Sequence, residues 1–143
     1  GFGDLSKFIS KKTKNNFNYL GIDISSKIIN YAKDNFIKKN VLFKHSDLDG
    51  IKNQRFDICV ASGSLSYNHS YNKKFTESYI KKMYQISSYA VCVNFLSSYC
   101  DYKEKKNAHY SPEKIFKFAK SLSSKVNLYH DYPLYEFTIQ IYK

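Results

Sequence analysis

The reading of this chain turns on GFGDLSKFIS (residues 1–10) and on YLGIDIS (residues 19–25), which follows it. Two glycines separated by one residue let the backbone pass close to a ligand, and the helix that follows offers its free N–H groups to an anionic or polar group. A turn of this kind belongs after a strand. YLGIDIS supplies the next strand, and Asp23 at its end stands twenty residues beyond Gly3.

Working outward, apolar periodicity gives an alternating order of elements. DLSKFISKK places Leu5, Phe8 and Ile9 on one helical face, and FNYLGIDI reads as a strand buried on both faces. SSKIINYAKDNF carries a helical stripe of Ile28, Ile29, Ala32 and Phe36 behind a serine cap, and NVLFKHSD is the next strand. RFDICVAS is the strongest strand of the chain. KKFTESYIKKMYQIS predicts a helix on Phe75, Tyr79, Ile80, Met83 and Ile86, and YAVCVNFL predicts another buried strand. In YSPEKIFKFAKSL, Ser111 is a cap and Pro112 takes the first helical position, where its missing N–H costs nothing. VNLYHDYPLYEFTIQIYK predicts two strands about a turn at Pro133, with Phe137, Ile139 and Ile141 alternating with polar residues. The pattern predicts a Rossmann-like α/β domain: a mainly parallel sheet, helices on both faces and an antiparallel C-terminal strand.

Composition narrows the function. At 143 residues the chain is expected to be one domain; it holds no run of eighteen apolar residues and no leader pattern, so it is expected to be cytoplasmic and to span no membrane. Cys59, Cys92 and Cys100 are odd in number and widely spaced, which argues against a disulfide framework, and no His/Cys cluster suggests a metal. The formal charge of +11 invites a nucleic-acid reading, but Arg55 is the only arginine, and the lysines are spread over nearly every segment. A nucleic-acid partner is therefore not expected, and a basic nucleic-acid binder stays as an alternative function.

In a parallel α/β sheet, ligands gather at the carboxyl ends of the strands. Asp23 has the separation from the glycine turn at which an acidic residue accepts hydrogen bonds from ribose hydroxyls, the competing role being a cap on the next helix. Asp47, after VLFKH, has the chemistry to accept from an exocyclic amine, or to close a solvent-exposed turn. Ala61-Ser62-Gly63-Ser64-Leu65 uses small residues where a ligand would pass, or forms a flexible loop.

The ordered set GFGDL, YLGIDIS, HSDL, FDICVASGSLSY and DYPLYEFTIQIYK resembles a class I S-adenosylmethionine-dependent methyltransferase over nearly the whole chain. That family's glycine motif reads acidic-x-Gly-x-Gly-x-Gly, and Gly1 and Gly3 match its last two glycines. The first strand and the start of the motif are absent from the sequence, so an N-terminally truncated domain is expected. The resemblance implies that Gly1 and Gly3 approach the methionyl part of the cofactor, and that Asp23 holds the ribose hydroxyls with Ile24 against the adenine. It further implies Asp47 and Leu48 at the adenine edge and Ser62 and Gly63 on the methionine side. A nicotinamide cofactor would want a glycine where Ser6 stands. The absent strand belongs between those ending at Asp23 and Ser62; this predicts a homodimer that fills or covers the gap, or direct pairing across it.

The acceptor is less legible, because methyl transfer is an in-line displacement that depends on alignment more than on a base. ASGSLSY lacks the proline motif of amino-methylating enzymes, and no Pro-Cys nucleophile exists. Small-molecule, sugar or lipid-linked acceptors remain, and the closing segment resembles bacterial members associated with surface-polysaccharide synthesis. LSYNHSYN and NFLSSYCDYKEKKNAHYS should form the mouth, with Tyr67, His69, Asn94, Tyr99, His109 and Tyr110 as candidates. Tyr67, His69 and His109 are the catalytic candidates, a histidine being the base if one is used. Both histidines also read as surface-loop residues, and His45 and His130 as structural ones. A non-catalytic protein on the same cofactor fold is the remaining alternative.

Overall fold

A computed structural model describes residues 1–14, 16–36, 38–68 and 73–143. The chain forms two compact units, residues 1–52 and 53–143.

The first unit holds α1 (Asp4–Thr13), β1 (Tyr19–Asp23), α2 (Ser26–Asn35), β2 (Val41–His45) and a single 3-10 turn over Asp49–Ile51. Ser25 caps α2 as predicted, its Oγ accepting from the Ile28 N–H at 3.4 Å. Ile29 and Ala32 of that helix pack on Val41 and Phe43 of β2, with Phe17, Tyr19 and Phe36 around them. β1 and β2 are parallel, with Tyr19 opposite Val41 and Asp23 opposite His45.

Helix α1 forms where predicted but presents the opposite face. Ser6 and Ser10 are buried, while Leu5 and Phe8 stay on the surface. Small residues let the helix backbone approach its surroundings closely, and Ser6 satisfies its hydroxyl on the Gly3 carbonyl at 2.7 Å.

The second unit contains β3 (Phe56–Ala61), α3 (Lys73–Ile86), β4 (Ser87–Ser97), β5 (His109–Tyr110), α4 (Pro112–Leu122), β6 (Val126–Tyr129) and β7 (Glu136–Tyr142). Its sheet runs β3-β4-β7-β6, with β5 beside the end of β4. β3 and β5 pair with β4 in parallel, whereas β7 is antiparallel to both β4 and β6. The parallel sheet with an antiparallel C-terminal pair is therefore as expected. The predicted alternation in β7 decides the core: Phe137, Ile139 and Ile141 lie opposite Phe95, Val93 and Val91, and all six are buried. Ile80 and Met83 of α3 and Ile115 and Ala119 of α4 complete the apolar interior. Ser111 caps α4 by accepting from the Lys114 N–H at 3.2 Å, with Pro112 in the first turn.

The expected burial of β1 on both faces is not found. β1 is half-buried along its length, and β3 leaves Ile58 and Val60 exposed. The reason is one-sided pairing: among the described residues β1 bonds only to β2 and β3 only to β4.

Candidate functional site

At the carboxyl end of β1 the Asp23 carboxylate is held from two sides. Oδ1 accepts the Ser25 N–H at 2.8 Å, and Oδ2 faces the terminal ammonium of Gly1 at 2.7 Å. The glycine turn and the acidic residue thus meet, as the sequence required. Burial pushes this carboxyl up, whereas the terminal ammonium of Gly1 and the Ser25 N–H pull it down and outweigh the burial. His45 at the end of β2 latches the neighbouring backbone: its Nε2 stands 2.9 Å from the Ile24 carbonyl, so that nitrogen carries the proton, and the Ser46 N–H donates to the Asp23 carbonyl at 3.0 Å. Ile24 itself is 75% exposed, an apolar flank immediately beside the carboxylate.

The two glycines serve different ends. Phe2 meets Tyr31 of α2 edge-on at 5.4 Å and pins the turn. Gly3 has a φ of 95°, and a Cβ there would lie 2.7 Å from Phe36 Cδ2 and 3.1 Å from Phe43 Cζ. A Cβ on Gly1 would meet nothing within 4 Å. Gly3 is therefore required by backbone and packing, and Gly1 is the one with an open side. Gly3→Ala should destabilise the protein by roughly 1–3 kcal/mol, from left-handed strain plus displaced rings, which urea denaturation followed by tyrosine fluorescence would measure. Asp47 closes the turn that competed for it, its Oδ1 accepting the Gly50 N–H at 3.0 Å. Leu48 beside it is half-buried.

In the second unit, Ser62 and Gly63 leave the carboxyl end of β3 on the surface. Gly63 has a φ of 73° and no atom within 4 Å of where its Cβ would be. The loop they begin is stapled to the β4–β5 loop: Asn68 N–H donates to the Lys106 carbonyl at 2.7 Å and Ala108 N–H to the Ser66 carbonyl at 2.9 Å. The staple runs on either side of a bridge between Tyr67 and Asn107, so exposed Tyr67 and the segment leading to His109 are brought together. His69 lies outside the described residues.

His109 departs from the surface-loop reading, for it is half-buried in β5, a two-residue strand too short for periodicity to reveal. Its Nδ1 is 2.9 Å from the Ser97 carbonyl, which can only accept, so Nδ1 carries the proton and the neutral ring's lone pair is on Nε2. Nε2 is buried and has no hydrogen-bond partner among the described residues. Cys100 Sγ, at 3.5 Å from Nδ1, faces the protonated nitrogen and gains no base from it. Asn94 and Tyr110 turn inward: the Asn94 amide donates to the Tyr132 hydroxyl at 3.1 Å, and the Tyr110 hydroxyl donates to the Leu65 carbonyl at 3.0 Å.

His130, read as structural, instead lines a cavity of about 570 Å³ with Tyr99, Tyr132, Pro133, Leu134 and Tyr135. The hydroxyls of Tyr99 and Tyr135 donate to Glu113 and Asp101. Hydrogen bonds from the Ser111 and Tyr99 hydroxyls pull the Glu113 carboxyl down to about 2. A carboxyl lowered on folding stabilises the native state above its ordinary range, near 4.5, and loses that contribution as pH falls toward about 2. Glu113→Gln should therefore flatten the loss of stability between those pH values in acid-titrated urea melts.

The family model described as "Methyltransferase domain" matches residues 1–87. The chain belongs to that family, and its fold is that of the class I S-adenosylmethionine-dependent methyltransferases. Among solved structures, the magnesium protoporphyrin IX methyltransferase ChlM of Synechocystis PCC 6803 with bound SAH aligns over 100% of this chain and 70% of its own, at 14% identity and a TM-score of 0.77. Human N-acetylserotonin methyltransferase in complex with SAM aligns over 100% of this chain and 45% of its own, at 12% identity and a TM-score of 0.72. The plantazolicin methyltransferase BpumL, with a triazolic desmethylPZN analog and SAH, covers 100% and 73% at 12% identity and a TM-score of 0.74. No curated protein sequence gives a significant match. Among the described residues no helix is long and apolar enough to cross a membrane, and no group of His, Cys, Asp or Glu could hold a metal ion.

Proposed function

We propose that this chain transfers a methyl group from S-adenosylmethionine to a small-molecule acceptor, sugars and lipid-linked sugars included. The observation that carries the reading is the placing of the glycine turn, with Phe2 against Tyr31 and Gly3 in the left-handed region over Phe36 and Phe43, in the same unit as Asp23 at the carboxyl end of β1, the pair that a nucleoside needs side by side. When bound, S-adenosylmethionine supplies an electrophilic methyl group on a sulfonium. Asp23 stays ionised near neutral pH and accepts from the ribose hydroxyls through the lone pairs left beside its two present bonds. Ile24 covers the adenine face, and Asp47 and Leu48 meet the adenine edge. Gly1 admits the methionyl part while Gly3 sets the turn, and Ser62 and Gly63 line the methionine side.

On the acceptor side, the Ser97 carbonyl holds His109 in the tautomer whose lone pair is on Nε2, and His109 serves as base for an acceptor whose reacting hydroxyl enters far enough to reach that buried nitrogen. Exposed Tyr67 belongs to the mouth, and His69 is a further candidate base on its sequence position. The unpaired edges of β1 and β3 support a homodimer in which a second copy covers them. Calorimetry with S-adenosylmethionine and S-adenosylhomocysteine tests the function, and absence of heat with no melting shift for either would overturn it. Light scattering at rising concentration tests the dimer, which a constant monomer mass would exclude.

A further inference from the structure

The cavity beside the end of β4 is not used by the cofactor half of the site. It lies within the size range of small-molecule pockets, and its wall is made of rings. Tyr99, Leu134 and Tyr135 are exposed and grouped about one hollow, not scattered over the surface. The Tyr99 and His130 rings stand 6.0 Å apart, tilted by 42°. Because β7 starts opposite Leu96 and β3 runs parallel to β4, this hollow lies at the same end of the sheet as Ser62 and Gly63.

The phenols decide what fits. Tyr99 donates its hydroxyl hydrogen bond to Glu113, and Tyr135 donates its own to Asp101. The Tyr132 hydroxyl is held between the Asn94 amide at 3.1 Å and Thr138 Oγ1 at 3.0 Å. A phenol bonded to a carboxylate keeps only acceptor lone pairs, and its ring face becomes more electron-rich. Two of the rings that line the hollow are thus bonded to carboxylates, an arrangement that favours a cation over a carboxylate or phosphate. This is a local reversal on a chain whose net charge is +11.

We propose that this cavity is the acceptor pocket, and that the acceptor is a flat, ring-bearing small molecule carrying a positively charged nitrogen. The inference rests on the methyltransferase reading above. A protonated or quaternary nitrogen has no lone pair, so it is the handle by which the molecule is held, and the methylated atom is another group of the same molecule.

Three probes share one ring frame and differ in charge at neutral pH: 1-methylquinolinium, quinoline and quinoline-4-carboxylate. Titrated into the full chain by calorimetry, with and without S-adenosylhomocysteine, they should bind in the order cation, neutral, anion. The cation should exceed the neutral ring by about 3- to 30-fold, the range of a cation–π contact. Tyr99→Leu should abolish that preference, and Tyr99→Phe should reduce it only severalfold. Should Tyr99→Leu fail to fold by circular dichroism, the surface change Glu113→Gln gives an independent reading by narrowing the gap between cation and neutral ring. Equal binding of the three probes, a preferred anion, or a preference untouched by these variants overturns the proposal. S-adenosylhomocysteine binding without cation preference sinks the pocket and spares the function, whereas cation binding without S-adenosylhomocysteine binding sinks the acceptor assignment together with the function.

Discussion

Replacing Asp23 by alanine is expected to weaken S-adenosylmethionine binding by roughly 1–3 kcal/mol, about 5- to 150-fold, because ribose hydroxyls drawn out of water would lose their charged acceptor. The carboxylate is partly shielded, with 21% of its side-chain surface accessible, and two donors already orient it. Asp23→Asn keeps the shape and gives up the charge, so it should fall between wild type and alanine. Isothermal calorimetry measures the affinity; an alanine variant that binds as tightly as wild type removes Asp23 from the site.

Phe137→Ala should cost about 3–5 kcal/mol of stability, the usual range for emptying a large buried ring from a core. Phe137 is fully buried, stacks on Phe95 at 5.1 Å with 20° between planes, and meets the His130 ring edge-on at 5.9 Å. The variant therefore loses the support beneath one wall of the aromatic cavity as well as core volume. Phe137→Leu, which keeps most of the volume, should cost under about 1.5 kcal/mol. Urea denaturation resolves the two, and equal midpoints for wild type and Phe137→Ala would show that the sheet closes without this ring.

Where the sequence was legible, one physical signal acted alone. In β7 the two-residue alternation of Phe137, Ile139 and Ile141 had only one buried face to find, and it found it. The caps at Ser25 and Ser111 were readable because a hydroxyl before an apolar stripe satisfies an N–H within the same few residues. Asp23 was readable because its separation from the glycines spans one helix and one strand. Long-range pairing was not readable. Leu5 and Phe8 read as a buried stripe, yet Ser6 and Ser10 are the buried residues, since local period does not say which face finds a neighbour. His130 looked structural beside its strand and Tyr135 drew no notice, because their cavity is built by residues some thirty positions apart in the chain, Tyr99 and the β6–β7 turn. The proton on His109 depends on a carbonyl twelve residues earlier in sequence, which periodicity does not report.

The placing of β7 between β4 and β6 has a consequence for how the molecule is made. During synthesis β6 emerges before the strand that gives it its hydrogen bonds, and β4 waits some forty residues for its antiparallel neighbour. Such late, distant pairing is slow and leaves apolar strands open to wrong partners in the interval. The aromatic hollow takes its form only once β7 has docked on β4, so a ligand seated there would hold to chains in which that pairing is made and pass over those still waiting for it.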